Sequence, residues 1–259
     1  MRAAFVIAEK DLKTYFQSPL FYAVAGVCAI IWSLIFGLGL FQFQDASMNQ
    51  MIQAAQDGSA EGINFHRTVI GFFASTVNLV MLIASAALSM RLLAEEKRQR
   101  TFDLLLTSPV TATDIAVGKW IAGTVASWAL LAVSLIYPLS VLFFAKLEWG
   151  PLAATYFGLM LITGVYVAVG LFASSLTESP VLAVIMAILF NFMLFFVSSP
   201  ANMADGPTAK AVFEQMNINA HLNTMIFGGV AFSSLAYLAS LIFLFTLLTQ
   251  RVVESARWR

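Results

Sequence analysis

The side chains that could carry out chemistry are few in this chain, and their spacing does not match a known catalytic or metal site. The 259 residues include one cysteine, Cys28, and two histidines, His66 and His221. No Cys/His cluster has the spacing of a metal site, and no serine, histidine and carboxylate form a hydrolase motif. We interpret Cys28 as a small buried hydrophobe, His66 as a surface residue and His221 as a hydrogen-bonded histidine at the membrane interface.

The pair Gly118-Lys119 comes nearest to a nucleotide-binding motif. A P-loop requires a glycine five residues before this glycine and a serine or threonine directly after the lysine. Thr113 and Trp120 occupy those two positions. The sequence therefore predicts no nucleotide site, no directly bound cofactor, no metal and no catalytic residue.

The composition indicates what surrounds these residues. Hydrophobic residues make up 60% of the chain and charged residues 11%, whereas a soluble domain carries about 25% charged residues. This composition excludes a disordered chain, a nucleic-acid-binding protein that relies on bulk positive charge, and a typical soluble enzyme. It predicts a polytopic membrane protein.

Six apolar runs are long enough to cross a bilayer as helices. None of them contains Asp, Glu, Lys, Arg or His, so they offer no ion-coupling side chain. Their continuous apolar character favours an all-α fold over a barrel. Pro138 should kink the third run. The predicted spans are 20–41, 68–90, 120–145, 152–174, 180–198 and 229–250.

Basic residues orient the chain across the membrane. With both termini inside, the inner segments carry 11 Lys and Arg residues and the outer segments carry 3, as expected when basic residues stay on the cytoplasmic side. The net charge of zero is therefore the sum of a basic inner face and an acidic outer face.

Four polar segments separate or flank the spans. Residues 1–18 are predicted to form an interfacial helix with Phe5, Leu12, Tyr15 and Phe16 on one face. Residues 42–67 read as a solvated outer connector, and residues 205–228 as an outer re-entrant segment. Residues 91–119 form the most highly charged inner loop. In that loop Thr111 and Asp114 have the spacing of a capping box.

The same inner loop carries a family resemblance. Residues 95–109 read EEKRQRTFDLLLTSP, and Asp114-Ile115 and Gly118-Lys119 follow. This order is similar to the signature E-x-x-x-G-T-x-E-x-L-L-x-x-P, followed by a helix with GK, of ABC-2 type permease subunits. The gliding-motility permease group is the most similar subgroup. Arg100 stands where the family usually has Gly, and Asp103 stands where it has Glu.

The resemblance implies a non-catalytic membrane subunit of an exporter-like ABC transporter in the bacterial inner membrane. It implies six spans, an N-terminal interfacial helix, a coupling helix between spans two and three, and outer re-entrant helices before span six. Its implied partners are an ABC ATPase subunit that holds ATP-Mg, a second permease copy or related permease, the lipid bilayer and an outer-side accessory protein. The residues implied for the ATPase-coupling interface are Glu95, Glu96, Arg100, Thr101, Phe102, Asp103, Leu104, Leu105, Leu106 and Thr107.

The resemblance also implies a transport pathway, for which the candidates are Phe72, Phe73, Asn78, Asn191, Phe195 and Phe196. Packing between helices or contact with lipid would explain these six side chains equally well. An ATP-independent channel or carrier, and a membrane scaffold for an outer-side protein, remain alternatives to the permease. Flux through the purified chain without ATP would identify a channel or carrier.

Overall fold

All the regular structure that is described is helical. The computed structural model describes residues 2–57, 64–107, 110–143, 148–196 and 215–257, and the all-α prediction is confirmed for these segments. Their α-helices are, in chain order, α1 (Arg2–Gln17), α2 (Pro19–Asp57), α3 (Gly71–Arg98), α4 (Phe102–Thr107), α5 (Ala112–Ser134), α6 (Ile136–Ser140), α7 (Trp149–Leu176), α8 (Pro180–Phe196), α9 (Ile218–Ile226) and α10 (Phe232–Ala256).

Five helical stretches are long and apolar enough to cross a membrane within the described segments. They are Pro19–Gln53, His66–Arg98, Ala112–Ser140, Trp149–Leu176 and Phe232–Ala256. The predicted fifth span corresponds to α8, which has 17 residues and a length of about 25 Å, against about 30 Å of hydrocarbon. The structure thus gives five candidate spans where the sequence predicts six. The end of the predicted span 180–198, like residues 205–214 of the re-entrant segment, lies outside the described residues.

Helix α2 is much longer than the predicted span 20–41. It has 39 residues and continues to Asp57, so the prediction of a solvated connector is wrong for residues 42–57. This stretch contains no glycine or proline and is rich in Gln, Ala and Met, which propagate a helix well. Residues 58–63 of the predicted connector lie outside the described residues.

The core is centred on α7. Most residues of this helix between Leu152 and Ser175 are buried, and it packs against α3, α5, α8, α9 and α10. Small residues bring α3 and α7 close together: a Cβ added at Gly170 would overlap the Ser89 hydroxyl. Small residues allow this approach in membrane helices because little side-chain volume separates the backbones. Ser85 and Ser89 therefore pack within the chain.

The third span is interrupted near its proline. Helix α5 ends at Ser134, Leu135 forms a turn, and α6 carries Pro138. Proline lacks the N–H that would bond to the carbonyl of residue i−4, which is that of Ser134. The predicted kink thus takes the form of a break.

The end of the molecule opposite α1 is held by polar side chains. His221 bonds to the Ser234 hydroxyl at 2.8 Å and to the Gln215 carbonyl at 2.9 Å, as expected for a satisfied histidine. His66 was predicted to lie on the surface, and this is wrong: it is buried, and its Nε2 is 3.0 Å from the Ile226 carbonyl oxygen. A π-helical turn, His66–Ile70, leads into α3 and places the His66 side chain against the end of α9.

Candidate functional site: a buried ion cluster beside an exposed short helix

Helix α1 packs across the beginning of α5, with one face buried. That face consists of Ala4, Ile7, Ala8, Asp11 and Tyr15. The predicted apolar face is only partly correct, since Phe5 and Phe16 are exposed while Tyr15 is buried. The prediction rested on the large apolar side chains of α1. At the contact with α5, small residues such as Ala4 and Ala8 allow the two backbones to approach closely.

Gly118 is the point of closest approach between α1 and α5. A Cβ at this position would lie 2.6 Å from the Ala4 carbonyl oxygen and 3.1 Å from the Ile7 Cβ. Neither a backbone oxygen nor a Cβ can rotate away, so a larger residue requires α1 to move. The glycine of the Gly118-Lys119 pair therefore serves helix packing.

Lys119, the next residue, joins three helices through a buried ion cluster. Its side chain is 1% exposed, and its Nζ lies 3.1 Å from Asp11 Oδ2 on α1 and 2.8 Å from Glu96 Oε2 on α3. Lys10 adds a second cation, 3.7 Å from Glu96 Oε1. A buried charge is tolerated only when it is paired, so the positions of α1, α3 and α5 are interdependent.

A second set of contacts ties the α1–α2 junction to α3. Arg91 pairs with Glu95 at 2.7 Å and donates to the Ser18 hydroxyl. Tyr15 donates from its hydroxyl to the Leu88 carbonyl at 2.7 Å. Burial raises the pKa of the Tyr15 phenol, which keeps this donor protonated at any ordinary pH.

Helix α3 ends in a Schellman motif with an arginine in the left-handed position. Arg100 has φ 58°. The Thr101 N–H donates to the Glu96 carbonyl at 3.0 Å, and the Arg100 N–H donates to the Lys97 carbonyl at 3.1 Å. Glycine is the usual residue at this position because it has no Cβ penalty there. The tight turn therefore forms despite Arg100.

Helix α4 follows directly and turns its aromatic residue inward. Phe102 is 5% exposed, and Lys97 Nζ lies 5.4 Å from the centre of its ring. Leu105 is half-buried, whereas Asp103, Thr107 and Leu104 point outward, Leu104 with 72% exposure. The i, i+3 and i+4 spacing of Phe102, Leu105 and Leu106 predicts one apolar helix face, which would either pack on the protein or membrane surface or dock a soluble partner. Phe102 and Leu105 pack against the protein itself, and docking of α4 to a partner stays a prediction.

The chain returns to the membrane through a capped helix start. Thr111 Oγ1 accepts from the Asp114 N–H at 3.1 Å, and its hydroxyl donates to Asp114 Oδ2 at 2.7 Å. The predicted capping contact is confirmed, although the reciprocal bond joins the two side chains instead of reaching the Thr111 backbone. This cap sets the direction of α5 and hence the position of Lys119.

The end of α3 is also attached to α7. The Ser174 hydroxyl accepts from the Leu93 and Ala94 N–H groups at 3.2 and 2.9 Å and donates to the Met90 carbonyl at 3.2 Å. Lys97 donates to the Ser175 carbonyl. The segment that carries α4 is therefore bound to the central helix of the core through backbone groups.

Sequence reasoning missed Asp11, Lys119 and Ser174. Lys119 directly precedes the predicted third span, which begins at residue 120. A lysine so close to a span needs anionic or polar partners, and this position was the signal that could have pointed to the ion cluster. Glu95 and Glu96 were expected at an interface with basic residues, and in this structure their partners are Arg91, Lys119 and Lys10.

The predicted pathway residues fall into different environments. Phe73 is buried against Phe36 and Tyr137, while Phe72 and Phe196 are exposed on the helix surface. Asn78 donates to Asn219 Oδ1 at 3.2 Å and accepts from the Tyr166 hydroxyl at 3.1 Å. Asn219 in turn donates to the carbonyl of Phe195.

Asn191 on α8 has a different environment. It is fully buried, and neither its amide oxygen nor its amide nitrogen has a hydrogen-bond partner among the described residues. Asn78 thus joins α3, α7 and α9 through hydrogen bonds, and the pathway remains a prediction.

The long apolar helices and the absence of strands in the described segments define a multi-pass membrane protein. The family model for "ABC-2 family transporter protein" matches residues 5–228, and the chain belongs to this family. That family is a membrane component of ABC transporters, which implies an ATPase partner. No match was found among the curated proteins.

Replacing Lys119 with methionine should destabilise the protein by about 3 kcal/mol, because Asp11 would remain buried without its cation and Glu96 would keep only the more distant Lys10. Thermal unfolding of the purified protein in detergent measures this. Lys13→Met is the control, since its pair with Glu9 is exposed, and it should change little. The triple variant Lys119→Met, Asp11→Asn, Glu96→Gln should recover most of the loss. Equal instability of the triple and single variants would contradict the ion-cluster account.

Gly118→Ala should weaken the docking of α1, by about 1–3 kcal/mol, because the new Cβ meets the Ala4 carbonyl. Thermal unfolding, together with protease sensitivity of residues 1–18, reports the change. Gly26→Ala is the matched control, since no atom lies within 4 Å of its added Cβ. Indistinguishable behaviour of the two variants would rule out the close contact.

Arg100→Gly should stabilise the protein by about 1 kcal/mol, because glycine adopts positive φ without strain. Arg98→Gly removes the same charge at the last helical residue and should instead destabilise it, since glycine is a poor helix former. Thermal unfolding of both variants shows whether each substitution raises or lowers the stability of the protein. A loss of stability in Arg100→Gly would show that the left-handed turn is not present in solution.

Proposed function

We propose that the chain is the permease subunit of an exporter-like ABC transporter in the bacterial cytoplasmic membrane, and that it engages a separate ATPase through the outward face of α4. The observation that carries this proposal is the exposed Leu104 on the outward face of a short helix whose inward residues, Phe102 and Leu105, pack against the hydrophobic core. The exposed neighbours Arg100, Thr101, Asp103 and Thr107 complete the surface, which we call the α4 surface.

The α4 surface has the features of a docking element. A helix of 6 residues does not persist in water by itself, but this one is fixed by the turn at Arg100 and by the buried ring of Phe102. Its side chains are thereby ordered before a partner arrives, which lowers the entropic cost of association. An exposed leucine surrounded by polar groups suits a hydrophobic pocket with a polar rim.

The contacts behind α4 provide a route for movement into the membrane. A displacement of α4 pulls on the end of α3, which is bonded to Ser174 of α7 and, through Glu96, to Lys119 of α5. Asp11 adds α1 to the same unit. We infer that α1, the end of α3, α4 and the start of α5 tilt together when the ATPase binds or releases ATP.

The remaining parts of the proposal rest on the family and on charge. The excess of basic residues in the inner segments supports six spans with both termini inside. ATP-Mg belongs to the ATPase, and a second permease copy or a related permease completes the membrane unit. The pathway side chains and the gliding-motility subgroup remain predictions.

Leu104→Asp should abolish the stimulated ATP turnover of the reconstituted complex and co-purification of the ATPase, because a carboxylate replaces the apolar anchor. The stability of the permease itself should be unchanged, since Leu104 packs against nothing buried. Val230→Asp is the control, because Val230 is also an exposed apolar residue but lies beside α10 at the opposite end of the bundle.

Unchanged turnover and unchanged co-purification in Leu104→Asp would overturn the proposal for α4. Flux through the purified permease without ATP would overturn the proposal as a whole, in favour of a channel or carrier.

A further inference from the structure

Helix α2 is too long to be accommodated by the bilayer. Its 39 residues extend about 58 Å at 1.5 Å per residue, whereas a bilayer including its polar interfaces is about 40–45 Å thick. A tilt of about 20° shortens the projected length by only a few ångströms. The end of α2 near Ser18 is held by Arg91, so the excess, which is about seven to eleven residues at this tilt, projects from the opposite face.

The projecting part of α2 is poorly covered by the rest of the protein. Phe43 packs edge-on against Phe65, with 5.2 Å between ring centroids. Beyond this contact Met48, Met51 and Ile52 are 62%, 75% and 54% exposed. Burying side chains of this size is worth about 1.5–3 kcal/mol each, and a lone helical segment in water is marginal.

Five exposed residues of α2, all apolar except Asp45, form a regular stripe. Leu38, Phe41, Asp45, Met48 and Ile52 follow one another at spacings of three, four, three and four residues, which is the a/d spacing of a coiled-coil seam. Leu38 and Phe41 are exposed as well. We call these five residues the α2 stripe. It continues from the membrane onto the projecting end without a break in phase.

Asp45 indicates what kind of helix fits the α2 stripe. Asp45 and Asp57 are the charged residues of the stretch 42–57, which contains no Lys, Arg or His. A helix laid along the stripe would remove Asp45 from water, and a buried carboxylate requires a cation. Helix α2 of a second copy of this chain enters the membrane in the same direction, so packing the stripe on itself would place Asp45 against Asp45 at the same height. That arrangement has like charges and no cation.

We propose that the α2 stripe binds an amphipathic helix of a different protein, with apolar residues at a/d spacing and a lysine or arginine opposite Asp45. The partner lies on the side of the membrane opposite α1, which is the outer side in the orientation of the proposed function. The contact gives the permease a mechanical connection to a protein outside the membrane, independent of the α4 surface.

The test is site-specific photo-cross-linking in the native cells, with p-benzoylphenylalanine placed at Met48 of the full chain. We expect a cross-link to another protein, mapped by mass spectrometry to a helix with a basic residue at the seam. The control site is Gln53, which is exposed but turned about 100° from Ile52, and it should give no such product.

A charge exchange then tests the pairing. Asp45→Lys should reduce the Met48 cross-link at least tenfold, and the reciprocal change of the partner's basic residue to aspartate should restore it. A Met48 cross-link to a second copy of this chain, to its own residues or to lipid would overturn the proposal, as would failure of the charge exchange. Leu104→Asp should leave the cross-link intact, so loss of ATPase coupling and loss of the stripe partner are separable results.

Discussion

The structure depends on one buried cation. Lys119 is almost completely removed from solvent, and its ammonium group lies 3.1 Å from an Asp11 carboxylate oxygen and 2.8 Å from a Glu96 carboxylate oxygen. Because the cost of an unpaired buried charge is several kcal/mol, α1 and α3 cannot leave α5 independently. Gly118 permits the approach, and Lys119 then makes separation costly. Two adjacent residues thus define the geometry of the end of the bundle that carries α1.

That geometry positions α4. The Schellman turn at Arg100 begins within one helical turn of Glu96, so the residue that pairs with Lys119 also contributes the carbonyl that closes the turn. Phe102 then fixes the orientation of the short helix, which leaves Leu104 outward. The ion cluster, the turn and the exposed leucine form a continuous chain of contacts from α1 to the α4 surface.

The sequence predicts much of this arrangement. Apolar runs gave the helical class and most helix positions, and Thr111 with Asp114 gave the start of α5, because these features depend on neighbours in sequence. The pairing of Lys119 with Asp11 joins residues 108 apart, and hydropathy says nothing about such a contact. The same limit applies to α2: its polar residues 42–57 read as a connector, although their helix propensity kept them helical.

The orientation of α4 could not be predicted from the sequence for a related reason. Spacing identified Phe102 and Leu105 as one apolar face, but it could not show whether that face meets a partner or the protein itself. The structure places Phe102 under Lys97, and Leu104, which spacing did not select, faces outward.

The central claim is that α1, the end of α3, α4 and the start of α5 move as one body. Distances between spin labels at Lys13 on α1 and Thr107 on α4, measured in the complex with and without ATP, test it most directly. If these elements move together, the Lys13–Thr107 distance stays unchanged while the Thr107–Val230 distance shifts. A change of several ångströms between Lys13 and Thr107 would contradict it.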